Sequence, residues 1–346
     1  MNIGIDARAL GWAGLGRYTR NLLQNLIKFA PKEDRFTVFA PRIFGRELAE
    51  YSAVKFIPVT ASYYSVREQT SFLASLLREK TDLMHFLHFN APIFYRRPFV
   101  VTIHDLTRFF FPAQKRKGWL HQWAYETVFR SVVENAQKII VVSEHTRGDL
   151  VRFFPSAINK TTTIHEGVDT NMFLTRKSDD AGMNEQLGRL GVKKPYLLFV
   201  GVWMTHKNLP RLLQAFKKIK EKGYTGSLVI TGKGQPHHVR VPDFIGELNL
   251  ENSVILPGQV SDGDLPILYQ GADALILPSL YEGFGLPGLE AMACETPVVA
   301  SRISSIPEIL GDGAVYFDPY SADDMAEKIA SLINNSEQKM KLIELG

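Results

Sequence analysis

Short, almost unbroken apolar runs recur along this chain, separated by longer amphipathic stretches. Residues 197–200 (LLFV) and 274–277 (ALIL) show the pattern, with no polar residue interrupting either run. A strand with one wet face alternates apolar and polar residues, whereas a strand covered on both faces need not. The pattern therefore selects an α/β chain whose parallel sheets lie between layers of helices. Strands are expected at residues 3–6, 36–40, 56–59, 83–87, 100–103 and 138–142. Helices are expected after Gly16 and at 65–79, 120–135 and 144–153. The plan then repeats, with strands at 196–200, 227–231, 254–256, 274–277, 298–300 and 314–317 and helices between them.

A length of 346 residues suits two such domains. From about residue 173 to 194 the chain turns polar, carries Gly182, Gly188 and Gly191, and runs into Pro195. That stretch reads as a linker containing a short helix. The expected division is a domain over 1–172, a linker over 173–194 and a domain over 195–346. Ligands of doubly wound sheets bind beyond the C-terminal strand ends. Two such domains facing each other would enclose a cleft, so the residues following each strand carry the functional signal.

Composition removes several alternatives. Cys294 is the only cysteine, which excludes a disulfide framework and a cysteine-based metal centre and suits a reducing, cytoplasmic setting. The opening MNIGIDARAL is not patterned as a signal peptide, and no run approaches the length of a membrane span. Charge is uneven: 23 basic against 15 acidic residues up to Thr175, and 17 against 21 beyond it. The basic half could face an anionic surface, or the bias could be ordinary surface variation.

Past the first strand, Gly14 and Gly16 open a helix, where the backbone can approach a ligand and anions are favoured. The same glycines could serve a tight turn, and the spacing is not the dinucleotide fingerprint. The fifth strand runs into His104 and Asp105. His104 could hydrogen-bond a sugar hydroxyl or be a satisfied structural histidine, and Asp105 could cap the next turn.

Gly201 ends the seventh expected strand, and Lys207 and Asn208 stand just before a helix whose Leu209, Leu212, Leu213 and Phe216 share one face. A lysine at a helix N-terminus is opposed by the dipole unless an anion accompanies it, so Lys207 is a candidate phosphate holder. Gly232 and Lys233 form a further glycine-rich strand end. The segment 278–293 is the most informative. Glu282 precedes Gly283, Phe284, Gly285 and Leu286 at a helix start, and Glu290 follows within the helix. Such a start suits a sugar diphosphate, with one carboxylate reaching a sugar and the other a ribose. No metal site is evident. Asp262 and Asp264 have D-x-D spacing but read as helix capping, and His237–His238 lacks a partner ligand.

These segments together resemble the family-4 retaining glycosyltransferases of GT-B fold, especially bacterial mannosyl- and rhamnosyltransferases of polysaccharide assembly. The carriers are IGIDAR, GLGRY, TIHDL, the Gly201-to-Lys207–Asn208 spacing, ITGKG and SLYEGFGLPGLEAMA, in that order. The resemblance implies two Rossmann-like domains facing across a cleft, no cofactor beyond a nucleotide-sugar donor (GDP-mannose first), and no metal. It implies a saccharide or lipid-linked saccharide acceptor and no nucleic acid. Gly14 and Gly16 would border the donor diphosphate or the acceptor, His104 the transferred sugar, and Lys207 the diphosphate. Glu282 would hold donor hydroxyls, and the backbone at 284–286 the sugar or phosphates. Glu290 would take the ribose. Gly201, Asn208, Gly232, Lys233 and Gly283 complete the donor-side set. The chain departs from the family at Val202, where many members carry arginine; His206, Arg211 or Lys233 could supply that charge. The resemblance also implies a closing crossover helix back onto the first domain, so with Gly346 soon after the helix expected over 322–334, either the sequence is truncated or that helix is absent. Aromatic and basic residues over 108–130, with Lys115, Arg116 and Lys117, would allow peripheral contact with the inner face of a membrane, or the aromatics could face the core beside a solvated basic loop. A nucleotide-sugar-binding protein without transfer, or a GT-B epimerase or phosphorylase, are the alternatives.

Overall fold

The computed structural model describes residues 1–12, 14–111, 118–174, 180–234 and 240–346. The Lys115–Lys117 cluster and His237–His238 lie outside the described residues. The chain divides into two units, Met1–Glu166 and Gly167–Gly346.

The first unit holds one parallel sheet of β1 (Asn2–Asp6), β2 (Arg35–Ala40), β3 (Val54–Pro58), β4 (Leu83–Phe86), β5 (Phe99–Ile103), β6 (Lys138–Val141) and β7 (Thr161–Thr163). Their order is β3-β2-β1-β4-β5-β6-β7, so the sheet reverses direction of growth between β1 and β4. Alternate side chains feed cores on opposite faces: Phe36, Val38 and Ala40 pack with Ile5 and Leu23, while Phe39 packs with Phe72, Met84 and Val101. That two-sided burial is why these strands show little alternation. The second unit repeats the device with β8 (Tyr196–Phe199), β9 (Ser227–Thr231), β10 (Val254–Gly258), β11 (Ala274–Leu277), β12 (Val298–Ser301) and β13 (Ala314–Phe317). Their order is β10-β9-β8-β11-β12-β13, with the reversal between β8 and β11. Every residue of β8 and β11 is buried.

Four differences from expectation have local causes. β7 was not anticipated because Thr-Thr-Thr carries no apolar run; β-branched threonines nevertheless suit an edge strand. The helix expected over 65–79 is a wide π-type turn at Glu68–Phe72 followed by an α-helix at Leu73–Arg78. Its first turn aims Glu68 inward at Arg8. The stretch expected to be a linker packs into the second unit: Phe173, Met183, Leu187 and Val192 join the core around Tyr196 and Leu275. A helix at Ser336–Leu345 also follows Ala322–Ile333, with Leu342 in the second core.

Candidate functional site

In the second unit the candidate residues gather at the reversal point. β8 and β11 are hydrogen-bonded neighbours, with Ala274 beside Leu197 and Leu275 beside Leu198. The loops leaving them therefore emerge side by side. One carries Lys207 and the other Glu282, and Lys207 Nζ donates to Glu282 Oε1 at 2.6 Å. The anionic partner that a lysine before a helix requires is thus supplied by the protein. Ser279 Oγ donates to the same Oε1 at 2.6 Å. Burial alone would raise the Glu282 carboxyl. The charges of Lys207 and His206, with the Lys207 and Ser279 hydrogen bonds, outweigh it and hold the group below the usual glutamate range.

The backbone around Glu282 is fixed by the segment that follows β12. Glu282 N–H donates to Ser304 Oγ at 2.9 Å, and Ser305 Oγ donates to the carbonyls of Glu282 at 3.0 Å and Phe284 at 3.2 Å. Gly285 has φ +102° directly before the Leu286–Ala293 helix, a conformation other residues resist. Gly283, Phe284, Gly285 and Leu286 thus form a rigid entry to a helix in which Pro287 has no N–H to offer and Gly288 N–H donates to Gly285 O at 2.9 Å. Ser279, Ser304 and Ser305 were missed by sequence reasoning. Ser279 opens the SLYEGFGLPGLEAMA segment without having been given a role, and the signal for Ser304 and Ser305 is a pair of serines shortly after a strand end.

The remaining donor-side residues separate by role. Asn208 is buried with φ +58°, and its amide donates to Pro278 O at 3.0 Å and Pro319 O at 2.8 Å. Its Oδ1 accepts from Arg211 at 3.0 Å. Asn208 therefore clamps two loops with the amide expected to meet the donor. Arg211, also placed over the Tyr320 ring, is drawn into that clamp. Gly232 has φ +88°, and a Cβ there would strike the Gly201 carbonyl oxygen, so these two glycines let neighbouring strand ends touch. Lys233 is exposed. Glu290 is buried, and its Oε2 accepts from Tyr269 at 2.7 Å. Among the described residues no cluster of His, Cys, Asp or Glu could hold a metal ion. Asp264 stands before the Leu265–Gly271 helix but makes no capping bond; it accepts from Ser261 instead.

In the first unit, Gly16 lies against the carbonyls of Leu10 and Ala9, which accounts for that glycine by packing; Gly14 faces open space. His104 follows β5. Its Nδ1 is 2.8 Å from Glu166 Oε1 and its Nε2 2.9 Å from the Leu87 carbonyl. Burial disfavours the charged ring, but Glu166, the Leu87 carbonyl and Asp105 outweigh it and raise the His104 pKa. Tyr18 packs edge-on against the ring. Asp105 Oδ1 accepts from Thr107 N–H at 2.7 Å, the turn-capping role weighed above. Arg8, from the IGIDAR segment, is held between the Tyr63 and Phe72 rings and paired with Asp6 and Glu68. Its job is in the fold.

Two doubly wound parallel sheets, each with its reversal beside its first strand, place the chain in the GT-B class of sugar-transfer folds. The solved structures agree across its whole length. Sucrose-phosphate synthase of Thermosynechococcus elongatus superposes with TM-score 0.78 at 21% identity, covering 100% of this chain and 92% of that one. WaaG, a glycosyltransferase involved in lipopolysaccharide biosynthesis, gives 0.75 at 15% identity, covering 100% and 94%. Anabaena HepE in complex with UDP-glucose gives 0.76 at 19% identity, covering 99% and 92%.

Sequence narrows the class. Residues 12–172 match the family Glycosyltransferase Family 4, and residues 184–346 match Glycosyl transferases group 1. The chain belongs to this glycosyltransferase family. O-antigen chain mannosyltransferase B of Escherichia coli is 30% identical over 66% of this chain, and RfbU of Salmonella typhimurium, an O-antigen chain mannosyltransferase, 28% identical over 69%. Each match spans 60% of the relative's length.

Proposed function

We propose that this chain transfers a hexose, mannose from GDP-mannose in the first instance, to a saccharide or lipid-linked saccharide acceptor in cell-surface polysaccharide biosynthesis. Transfer proceeds with retention and without a metal. The observation that carries this reading is the Lys207–Glu282 pair at the reversal point of the second sheet. The similarity to O-antigen chain mannosyltransferases supports the sugar and the setting.

The chemistry follows from charge. As the bond from the anomeric carbon to the diphosphate oxygen breaks, positive charge grows on the carbon and negative charge on the leaving phosphate. Lys207 and the N-termini of the Leu209–Glu221 and Leu286–Ala293 helices offset the negative charge. A diphosphate competes for Lys207, which leaves Glu282 to orient donor hydroxyls. The acceptor oxygen attacks from the same face and passes its proton to the departing phosphate oxygen. His104 contacts the transferred sugar. Glu290 takes the ribose of the donor. The exposed Trp123 supports peripheral contact with the cytoplasmic face of the membrane, while Phe109, Tyr125 and Phe129 of the same segment pack into the core.

Calorimetry with GDP, UDP, dTDP and ADP, then GDP-mannose, each with and without EDTA, tests the reading. Tight EDTA-insensitive binding of GDP and GDP-mannose is expected, followed by an α-linked product when an acceptor is supplied. Preference for another base overturns the donor. A free epimerised sugar nucleotide or consumption of inorganic phosphate overturns glycosyl transfer.

A further inference from the structure

We propose that Glu166 is a positioning residue for sugar transfer: it fixes the ring of His104 so that His104 meets the donor as an imidazolium. This rests on the reading above that His104 borders the donor. A carboxylate and a peptide carbonyl have no hydrogen to give, yet Glu166 Oε1 lies 2.8 Å from one ring nitrogen and Leu87 O 2.9 Å from the other. Both bonds form only if both nitrogens carry a proton, and that species is the cation.

Neighbouring histidines supply an internal comparison. His85, on β4, and His88, just beyond it, stand at the same sheet edge. Burial is the first cause in each case, with the charge of His104 adding to it; His85 is pushed down to about 4 and His88 to about 3. His85 Nε2 meets Thr102 Oγ1 at 2.9 Å, and His88 Nδ1 accepts from Asn90 N–H. His104 is shifted the other way, and it is the one bonded to a carboxylate. The other groups facing its ring are Tyr18, whose hydroxyl is 3.3 Å from Thr102 Oγ1, and Asp105, whose Oδ1 is committed to Thr107 N–H. Exposure divides the pair suitably. The His104 side chain keeps 18% of its surface and Glu166 only 6%, so the ring has an edge for a ligand while the carboxylate behind it is shielded. A fixed cation at the strand end favours the negative charge that grows on the leaving phosphate, without reorganising during the reaction.

Nuclear magnetic resonance titration of the imidazole signals, with His104 assigned by its loss in H104Q, measures the hold directly and needs no turnover. The wild-type midpoint is expected above 6.5, and Glu166→Gln should lower it by about one unit or more. E166D should recover part of the shift and serves if E166Q folds poorly. In the pH dependence of kcat/KM, E166Q should move the alkaline limb to lower pH, so that activity falls more at pH 8 than at pH 6. A wild-type midpoint below 6.5, or one unmoved by both substitutions, overturns the role of Glu166. A shifted midpoint with activity reduced equally at all pH values overturns instead the placement of His104 beside the donor.

Discussion

Lys207 and Glu282 show how one interaction can serve both stability and chemistry. Their side chains are 18% and 13% exposed, so the pair is shielded from solvent and each charge depends on the other. Removing Lys207 as K207M leaves Glu282 desolvated beside Ser279 and should lower kcat/KM about 100-fold, roughly 3 kcal/mol of lost transition-state stabilisation. A double-mutant cycle with E282Q separates coupling from the cost of a stranded carboxylate. The pH behaviour has a definite sign. Glu282 is depressed, so its stabilising contribution is complete above the unfolded glutamate value near 4.5 and is lost as pH falls through the lower folded value. K207M should move that loss to higher pH, and acid unfolding followed by circular dichroism reads the shift. Arg8 teaches the opposite lesson at the same scale. It lies in a family-like segment, yet aromatic rings and carboxylates enclose it and its work is structural.

Among elements, the loops leaving β8, β9 and β11 carry the site, and glycine decides how closely they approach. Gly232 ends its strand at φ +88° against the Gly201 carbonyl, and Gly232 N–H donates to Gly258 O at 2.7 Å. Gly232→Ala would be strained in its backbone and blocked in space at once. A loss of about 2–4 kcal/mol is expected in urea unfolding, with weakened nucleotide binding at temperatures where the protein stays folded. An unchanged midpoint would mean the Gly201 loop yields at little cost. The sequence left close approach or a positive φ open for Gly232, and a ligand border or a tight turn open for Gly16. In Gly232 the close approach is to the neighbouring strand end, and in Gly16 to the carbonyls of Ala9 and Leu10.

At the scale of the whole molecule, the two units have separate cores: Ile5, Phe86 and Val101 belong to one, and Phe199, Leu275 and Phe216 to the other. Residues 167–346, expressed alone, should unfold cooperatively and retain nucleoside diphosphate binding, because Lys207, Glu282 and the Leu286–Ala293 helix all lie within them. Failure to fold would show that the first unit is needed for stability. The alternation of apolar runs was enough to place twelve of the thirteen strands found among the described residues within about two residues, because two-sided burial leaves its mark in local sequence. Gly285, Lys207 and Glu282 were legible for a related reason, since strand ends and helix starts announce themselves locally. What sequence alone could not determine was pairing. Lys207 meets Glu282 across 75 residues because β8 and β11 are sheet neighbours though not consecutive strands. His104 meets Glu166 across 62 residues at the far edge of the other sheet, and Asn208 spends its amide on two distant carbonyls. A hydrogen bond is set by distance in space, and only the order of strands in each sheet fixes which distant loops share that space.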